Sequence, residues 1–64
     1  MKPEETKWIE TCKANPKKYR IDVDNDVVFV VDLEKDEDVF TFDNFGWRML
    51  VDLFRYIGCN AEEV

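Results

Sequence analysis

The spacing of apolar residues predicts a helix at the start of the chain. Trp8, Ile9 and Cys12 share one helical face, because residues three or four positions apart lie on the same side of a helix. Pro16 is expected to end this helix, since the residue before a proline avoids the α-helical conformation. We therefore predict a first helix over residues 3–14.

The central segment alternates between apolar and polar residues, which is typical of half-buried strands. Residues 19–24 alternate strictly, residues 27–33 are apolar on both faces, and residues 39–42 form a third short run. The residues between these runs are Asp, Asn, Glu and Lys, which favour turns and loops. Residues 19–42 are therefore predicted to form an acidic, three-stranded antiparallel meander.

The register of the predicted strands follows from the lengths of the two connections. A three-residue turn pairs Val23 with Val27, and a four-residue loop then pairs Leu33 with Phe40. Because side chains alternate between the faces of a sheet, this register sends one set to the core. That set is Tyr19, Ile21, Val23, Val27, Phe29, Val31, Leu33, Phe40 and Phe42. The opposite face would carry Val28, Val30 and Val39 among Arg20, Asp22, Asp32 and Thr41.

A second helix is predicted over residues 44–57. Asp43 or Asn44 would cap its start, and Gly58 would end it. Gly46 falls in its apolar stripe, where the missing side chain would allow close approach to the sheet. The stripe itself comprises Met49, Leu50, Leu53, Phe54 and Ile57.

These elements combine into a two-layer α+β fold. Its predicted order is α-β-β-β-α, with both helices packed on one face of the antiparallel meander. Residues 60–64 are expected to be a frayed tail. With 64 residues, the chain is long enough for a single small domain over residues 1–64.

The charge of the chain is concentrated in the predicted sheet. Residues 21–45 carry nine acids and one base, a net of −8, whereas residues 1–20 carry a net of +3. An acidic surface repels phosphate groups, so direct nucleic-acid binding is not expected. A protein with a basic surface is the expected partner.

The composition argues against an enzyme and against a metal or cofactor site. The chain has no His, Ser or Gln, which removes Ser–His and Cys–His pairs and histidine ligands. Asp22, Asp24 and Asp26 match the first ligand positions of an EF-hand loop, but Val27 stands where that loop needs Gly. Leu33 stands where it needs Glu. The loop carboxylates lack the burial that a general acid requires.

The two cysteines and the residues that follow Met1 indicate the cellular compartment of the protein. Cys12 and Cys59 form no CxxC motif and are too few for a disulfide framework. Both are expected to be reduced, buried thiols; the alternative is one disulfide from the first helix to the end of the last. The residues after Met1 include no apolar run typical of a signal peptide or membrane span. We therefore expect a cytoplasmic protein.

Three features are candidates for contact with a protein partner. The first is the acidic set, and the second is the outer sheet face, where valines with a polar rim have the anatomy of an interface. Those valines also suit an exposed strand through their β propensity alone. The third is Trp47 at the margin of the last helix, since Trp is frequent in binding hot spots. The candidate residues are Asp22, Asp24, Asp26, Asp32, Glu34, Asp36, Glu37, Asp38, Val28, Val30 and Trp47.

In size, acidic charge and order of elements, the chain resembles small acidic inhibitors encoded by phages and mobile elements. These include anti-CRISPR proteins, uracil-DNA glycosylase inhibitors and other DNA mimics. The resemblance rests on no sequence motif, and the basic N-terminal segment departs from the type. It implies a non-catalytic inhibitor that occupies a basic, nucleic-acid-binding surface of a partner protein.

Two other hypotheses remain open from the sequence. A small homodimerising or adaptor domain would use the outer sheet face (Val28, Val30 and Val39) or an open sheet edge. A regulatory domain of a larger assembly would carry its acids for solubility alone.

Overall fold

Two helices and four strands are formed within residues 2–42 and 46–63, which the computed structural model describes. Their order is α1 (Pro3–Ala14), β1 (Tyr19–Asp24), β2 (Val27–Asp32), β3 (Glu37–Phe42), α2 (Trp47–Tyr56) and β4 (Asn60–Glu63). The strands form one sheet in the order β3-β2-β1-β4. The α+β class and the predicted order of helices and strands are confirmed, with β4 added to the antiparallel meander.

The segment after α2 is a strand rather than the predicted frayed tail. It pairs in parallel with β1, from Arg20 opposite Asn60 to Val23 opposite Glu63. Arg55 fastens it to α2 by donating from Nη2 to the carbonyl oxygen of Ala61 at 3.1 Å. Consequently β1 lies inside the sheet, and β3 and β4 are the edges of the described sheet.

The β1–β2 hairpin turns over two residues, Asn25 and Asp26, and not over the three predicted. Both have positive φ angles, 51° and 63°, as in the type I′ turn whose twist matches that of a hairpin. Val23 then pairs with Val28 instead of Val27. A shift of one residue moves every β2 side chain to the other face of the sheet.

The β2 side chains that were predicted to lie in the core therefore lie on the outer face, and those predicted for the outer face lie in the core. Val28 and Val30 are buried beneath the helices, with exposed fractions of 1% and 0%. Val27 and Phe29 alternate with them, so they lie half-buried on the outer face. Leu33, also predicted for the core, is 43% exposed. The predicted core position was correct for Tyr19, Ile21, Val23 and Phe42, whereas Val31 is buried on the outer face, opposite Arg20.

A β-bulge in β3 completes the change in register. Val30 pairs with Phe40 but Val31 pairs with Asp38, so Val39 is the extra residue. Val39 is half-buried and packs against the core. None of the three valines predicted for an exposed patch is at the centre of one.

Both helices pack on the same face of the sheet, as predicted. A row of aromatic rings joins them: Trp8 of α1 stacks on Phe40 at 6.0 Å between ring centroids. Phe40 meets Phe42 edge-on at 4.9 Å, and Phe42 meets Phe54 of α2 at 5.8 Å. Each such pair contributes about 0.5–1.5 kcal/mol beyond the area that it buries.

The two helices begin differently. Glu5 is only 3% exposed, and its Oε1 accepts a hydrogen bond from the Lys2 backbone N–H at 2.8 Å, which caps α1. Gly46 is the N-cap of α2, and a Cβ there would meet nothing within 4 Å. The prediction that Gly46 lies inside the helix is therefore wrong. The predicted caps, Asp43 and Asn44, lie outside the described residues.

Val30→Lys is expected to prevent cooperative folding, because it places an ammonium group in a site that is 0% exposed. Phe29→Lys alters the neighbouring residue on the outer face and is expected to cost only about 1 kcal/mol. Urea unfolding followed by circular dichroism compares the two variants. The opposite ranking would mean that the hairpin has a three-residue turn.

Asp26→Gly is expected to stabilise the protein by roughly 0.5–1 kcal/mol, since glycine adopts a positive φ without steric cost. Asp24→Gly removes the same charge from a strand position and is expected to destabilise by a similar amount. The free energies of unfolding in urea measure both effects. Equal effects of the two substitutions would contradict the assigned turn.

Candidate partner-binding surface

The acids predicted to contact a partner lie, apart from Asp22, at two opposite ends of the sheet. Asp24 and Asp26 are at the β1–β2 turn. The other end is the acidic loop, which comprises Asp32, Glu34, Asp36, Glu37 and Asp38. Strands of six residues separate the ends, which is about 20 Å at roughly 3.3 Å per residue. This distance exceeds the Debye length of about 8 Å in physiological salt, so the two ends act as separate surfaces.

Backbone hydrogen bonds hold the acidic loop in shape. The Asp36 N–H donates to the Asp32 carbonyl oxygen at 2.7 Å, and Asp36 has a φ of 53°. Asp32 Oδ1 accepts hydrogen bonds from the N–H groups of Glu34 at 2.9 Å and Lys35 at 3.2 Å. The carboxylate of Asp32 is thus engaged in hydrogen bonds that stabilise the turn. The other four carboxylates of the loop are exposed to solvent.

A short basic connector runs beside the acidic loop. The Leu33 N–H donates to the carbonyl oxygen of Lys18 at 3.0 Å. Lys17 and Lys18 are both exposed, while residues 32–38 carry a net charge of −4. The connector therefore offsets part of the field of the loop, and the attraction for a basic partner is weaker than the sequence alone suggests.

Asp22, a predicted contact residue, is engaged within the chain. Arg20 donates to it twice, from Nε at 2.7 Å and from Nη2 at 3.0 Å. The hydrogen bond and charge of Asp22 raise the pKa of Arg20, and Glu62 and Asp36 add to this effect. The side chain of Asp22 is only 19% exposed. Its carboxylate is therefore poorly placed to meet a cation on a partner.

The outer sheet face differs from the predicted valine patch. Val28 and Val30 are in the core, and Val27, Phe29 and Val31 take their places on the outer face, opposite Asp24, Asp22 and Arg20 respectively. Neither Val28 nor Val30 can contact a partner in the folded protein. The pattern of β2 could not reveal this exchange, because both of its faces are apolar.

Trp47 is half-buried and packs against the core. It lines a shallow groove of about 210 Å³ between α2 and β4, together with Arg48, Val51, Asp52, Arg55 and Glu63. The Arg48 guanidinium lies 4.9 Å from the centroid of the Trp47 ring, which is a cation–π contact. Since Glu63 pairs with Val23 near the β1–β2 turn, this groove is far from the acidic loop.

Two exposed apolar side chains of α2 were not predicted as surface residues. Met49, placed in the core stripe by the sequence pattern, is 62% exposed, and Tyr56 is 89% exposed. They lie two turns apart and therefore on one side of the helix. For Tyr56 the sequence carried one signal of its exposure, its position outside the predicted apolar stripe. For Met49 it carried none.

Cys12 and Cys59 are buried next to each other, with exposed fractions of 0% and 4%. The predicted burial of both residues is confirmed. Burial raises the pKa of the Cys12 thiol to about 12, with a further contribution from Cys59. Burial also raises the pKa of Cys59, whereas the hydrogen bond with Cys12 and the charge of Lys17 oppose the increase.

The described residues give no further indication of a metal site or a membrane span. Within residues 2–42 and 46–63, no group of three or more His, Cys, Asp or Glu side chains is placed to hold a metal ion. No helix in this part of the chain is long and apolar enough to cross a membrane.

Comparison with known proteins adds no relative. No family model, no curated protein and no solved structure matches the chain.

The stability of the reduced protein is expected to fall as the pH rises above about 9, because of Cys12. Below its ordinary pKa of 9.0 the thiol is protonated in both states, whereas between 9.0 and about 12 only the unfolded chain loses the proton. Ionisation then favours unfolding, by up to about 1.4 kcal/mol per pH unit.

Urea unfolding under a reducing agent, at neutral pH and at about pH 10.5, measures this loss. Cys12→Ala is the control, since the two proteins differ only in the side chain at this position. An equal pH dependence in both proteins would contradict the assigned origin.

Proposed function

We propose that the protein is a non-catalytic binding module that acts in the cytoplasm as an inhibitor. Its acidic loop occupies a basic surface of a partner protein, of the kind that otherwise binds nucleic acid. The observation that carries this proposal is the set of four exposed carboxylates, Glu34, Asp36, Glu37 and Asp38, on a loop fixed by its own backbone.

The fixed shape of the loop favours binding. A loop that is already ordered loses little conformational entropy when a partner docks. Its carboxylates can stand where phosphate oxygens would stand, and they attract a basic partner over a distance of about one Debye length. The binding is therefore expected to weaken as salt is added.

We place the proposed contact set at one end of the sheet, on the acidic loop. Asp24 and Asp26 lie at the other end, and Asp22 is paired with Arg20. Val28 and Val30 are excluded by their burial. The acids of the acidic loop are therefore the proposed contact surface.

Self-association is the weaker alternative. The exposed patch of Val28, Val30 and Val39 on which it depended does not exist. The sheet edges begin or end with acids, since β3 starts at Glu37-Asp38 and β4 ends at Glu62-Glu63. Charges and bulges at sheet edges oppose strand pairing between molecules. A monomer is therefore expected.

Competition on DNA-cellulose tests the proposed function. Proteins from the source cells are bound to the resin and then eluted with the purified protein at constant salt. We expect the wild type to release a small set of DNA-binding proteins, identified by mass spectrometry. The variant Glu34→Lys/Glu37→Lys is expected to release none of them, because it reverses the charge of the acidic loop.

Glu10→Lys/Asp24→Lys is the matched control, since it changes the net charge equally at exposed positions outside the loop. It is expected to elute the same proteins as the wild type. For a released protein, calorimetry should show an affinity at least tenfold lower for the loop variant than for the control. Equal affinities would reject the loop as the binding surface.

A further inference from the structure

The end of α1 and the start of β4 are held together by several contacts. A Cβ added to Gly58 would lie 3.4 Å from the Cβ of Pro16, which shows how closely the two segments approach. Lys17 Nζ donates to the Gly58 carbonyl oxygen at 3.2 Å. Next to these contacts, Cys12 and Cys59 belong to one buried cluster in the core.

We propose that Cys12 and Cys59 form a reversible intramolecular disulfide that fastens α1 to the junction between α2 and β4. Both side chains belong to one buried cluster, and neither lies within a strand, since Cys12 is on α1 and Cys59 precedes β4. This inference is independent of the proposed function. Its observations come from the end of α1 and the start of β4, not from the acidic loop.

Exchange with glutathione disulfide supplies the chemistry. The Cys59 thiolate attacks one sulfur of glutathione disulfide, forms a mixed disulfide and releases one glutathione thiolate. Cys12, after losing its proton, attacks the Cys59 sulfur, which forms the Cys12–Cys59 bond and releases a second glutathione. The two cysteines are oxidised, glutathione disulfide is reduced, and the two thiol protons end on the two glutathione molecules.

The surroundings of the thiols indicate which one attacks first. Lys17 Nζ lies 3.2 Å from the carbonyl oxygen of Gly58, the residue before Cys59, and its positive charge favours the thiolate of Cys59. Cys12 is the more deeply buried of the two, 0% exposed against 4%, so it acts as the resolving thiol. Because both thiols are buried, α1 must open before they can react with glutathione disulfide. The disulfide is therefore expected to form and to be reduced slowly.

The disulfide is expected to stabilise the fold. It would close the chain across residues 13–58, and a loop of this length strongly restricts the unfolded state. It would also hold α1 over the core at Trp8 and Tyr19, whose rings meet at 5.7 Å.

Mass spectrometry of the intact protein tests the proposal after incubation in glutathione redox buffers. We expect the wild type to lose two hydrogen masses without gaining glutathione. Its melting temperature is expected to rise by about 10 °C or more. A reducing agent should reverse both changes. Cys12→Ala is expected to stop at the Cys59–glutathione adduct.

In a second experiment the reduced, unfolded chain is refolded in the same buffer. Both thiols are then accessible to glutathione disulfide before the core forms. The intramolecular disulfide is expected there too, and faster than in the native protein. A refolded wild type that stays reduced, or that carries only glutathione adducts or intermolecular disulfides, would overturn the proposal. An internal disulfide that leaves the melting temperature unchanged would also overturn it.

Discussion

The two-residue turn at Asn25 and Asp26 is the constraint on which the rest of the structure depends. Both residues adopt a positive φ, and this sets the β1–β2 register so that Val28 and Val30 face the helices. Those two valines complete the core against Phe42 and Phe54. A turn longer by one residue would direct Val27 and Phe29 into the same space and expose the valines instead. A local backbone preference at two residues therefore decides which side chains can meet a partner.

The elements were predictable wherever a local signal marked their ends. The bounds predicted for α1, residues 3–14, match those observed because prolines mark both its start and its end. The register was not predictable, since β2 is apolar on both faces and either register buries an apolar set. Nor was β4 predictable: Asn60–Glu63 has little β propensity and forms a strand only because it pairs with β1.

The candidate site shows the same division between local and long-range information. Exposure of the loop acids followed from their charge and their position between strands. Their grouping did not, because an antiparallel meander places successive connections at opposite ends of the sheet. Asp24 and Asp26 were thereby separated from the acidic loop, although they are close to it in sequence. The hydrogen bond from Leu33 to Lys18, which brings the basic connector to the loop, joins residues far apart in the chain.

The thiol pair and the acidic loop are connected through this basic connector. Cys12 lies near the end of α1, and from there the chain passes Gly58 at Lys17 and Leu33 at Lys18. Few fully buried side chains anchor α1, namely Glu5 and Cys12, and a domain of this size has little stability to spare. Opening of α1 would release the end of the connector that offsets the charge of the loop. A bond between Cys12 and Cys59 would hold both lysines in place, so the field of the loop depends on how firmly α1 is attached.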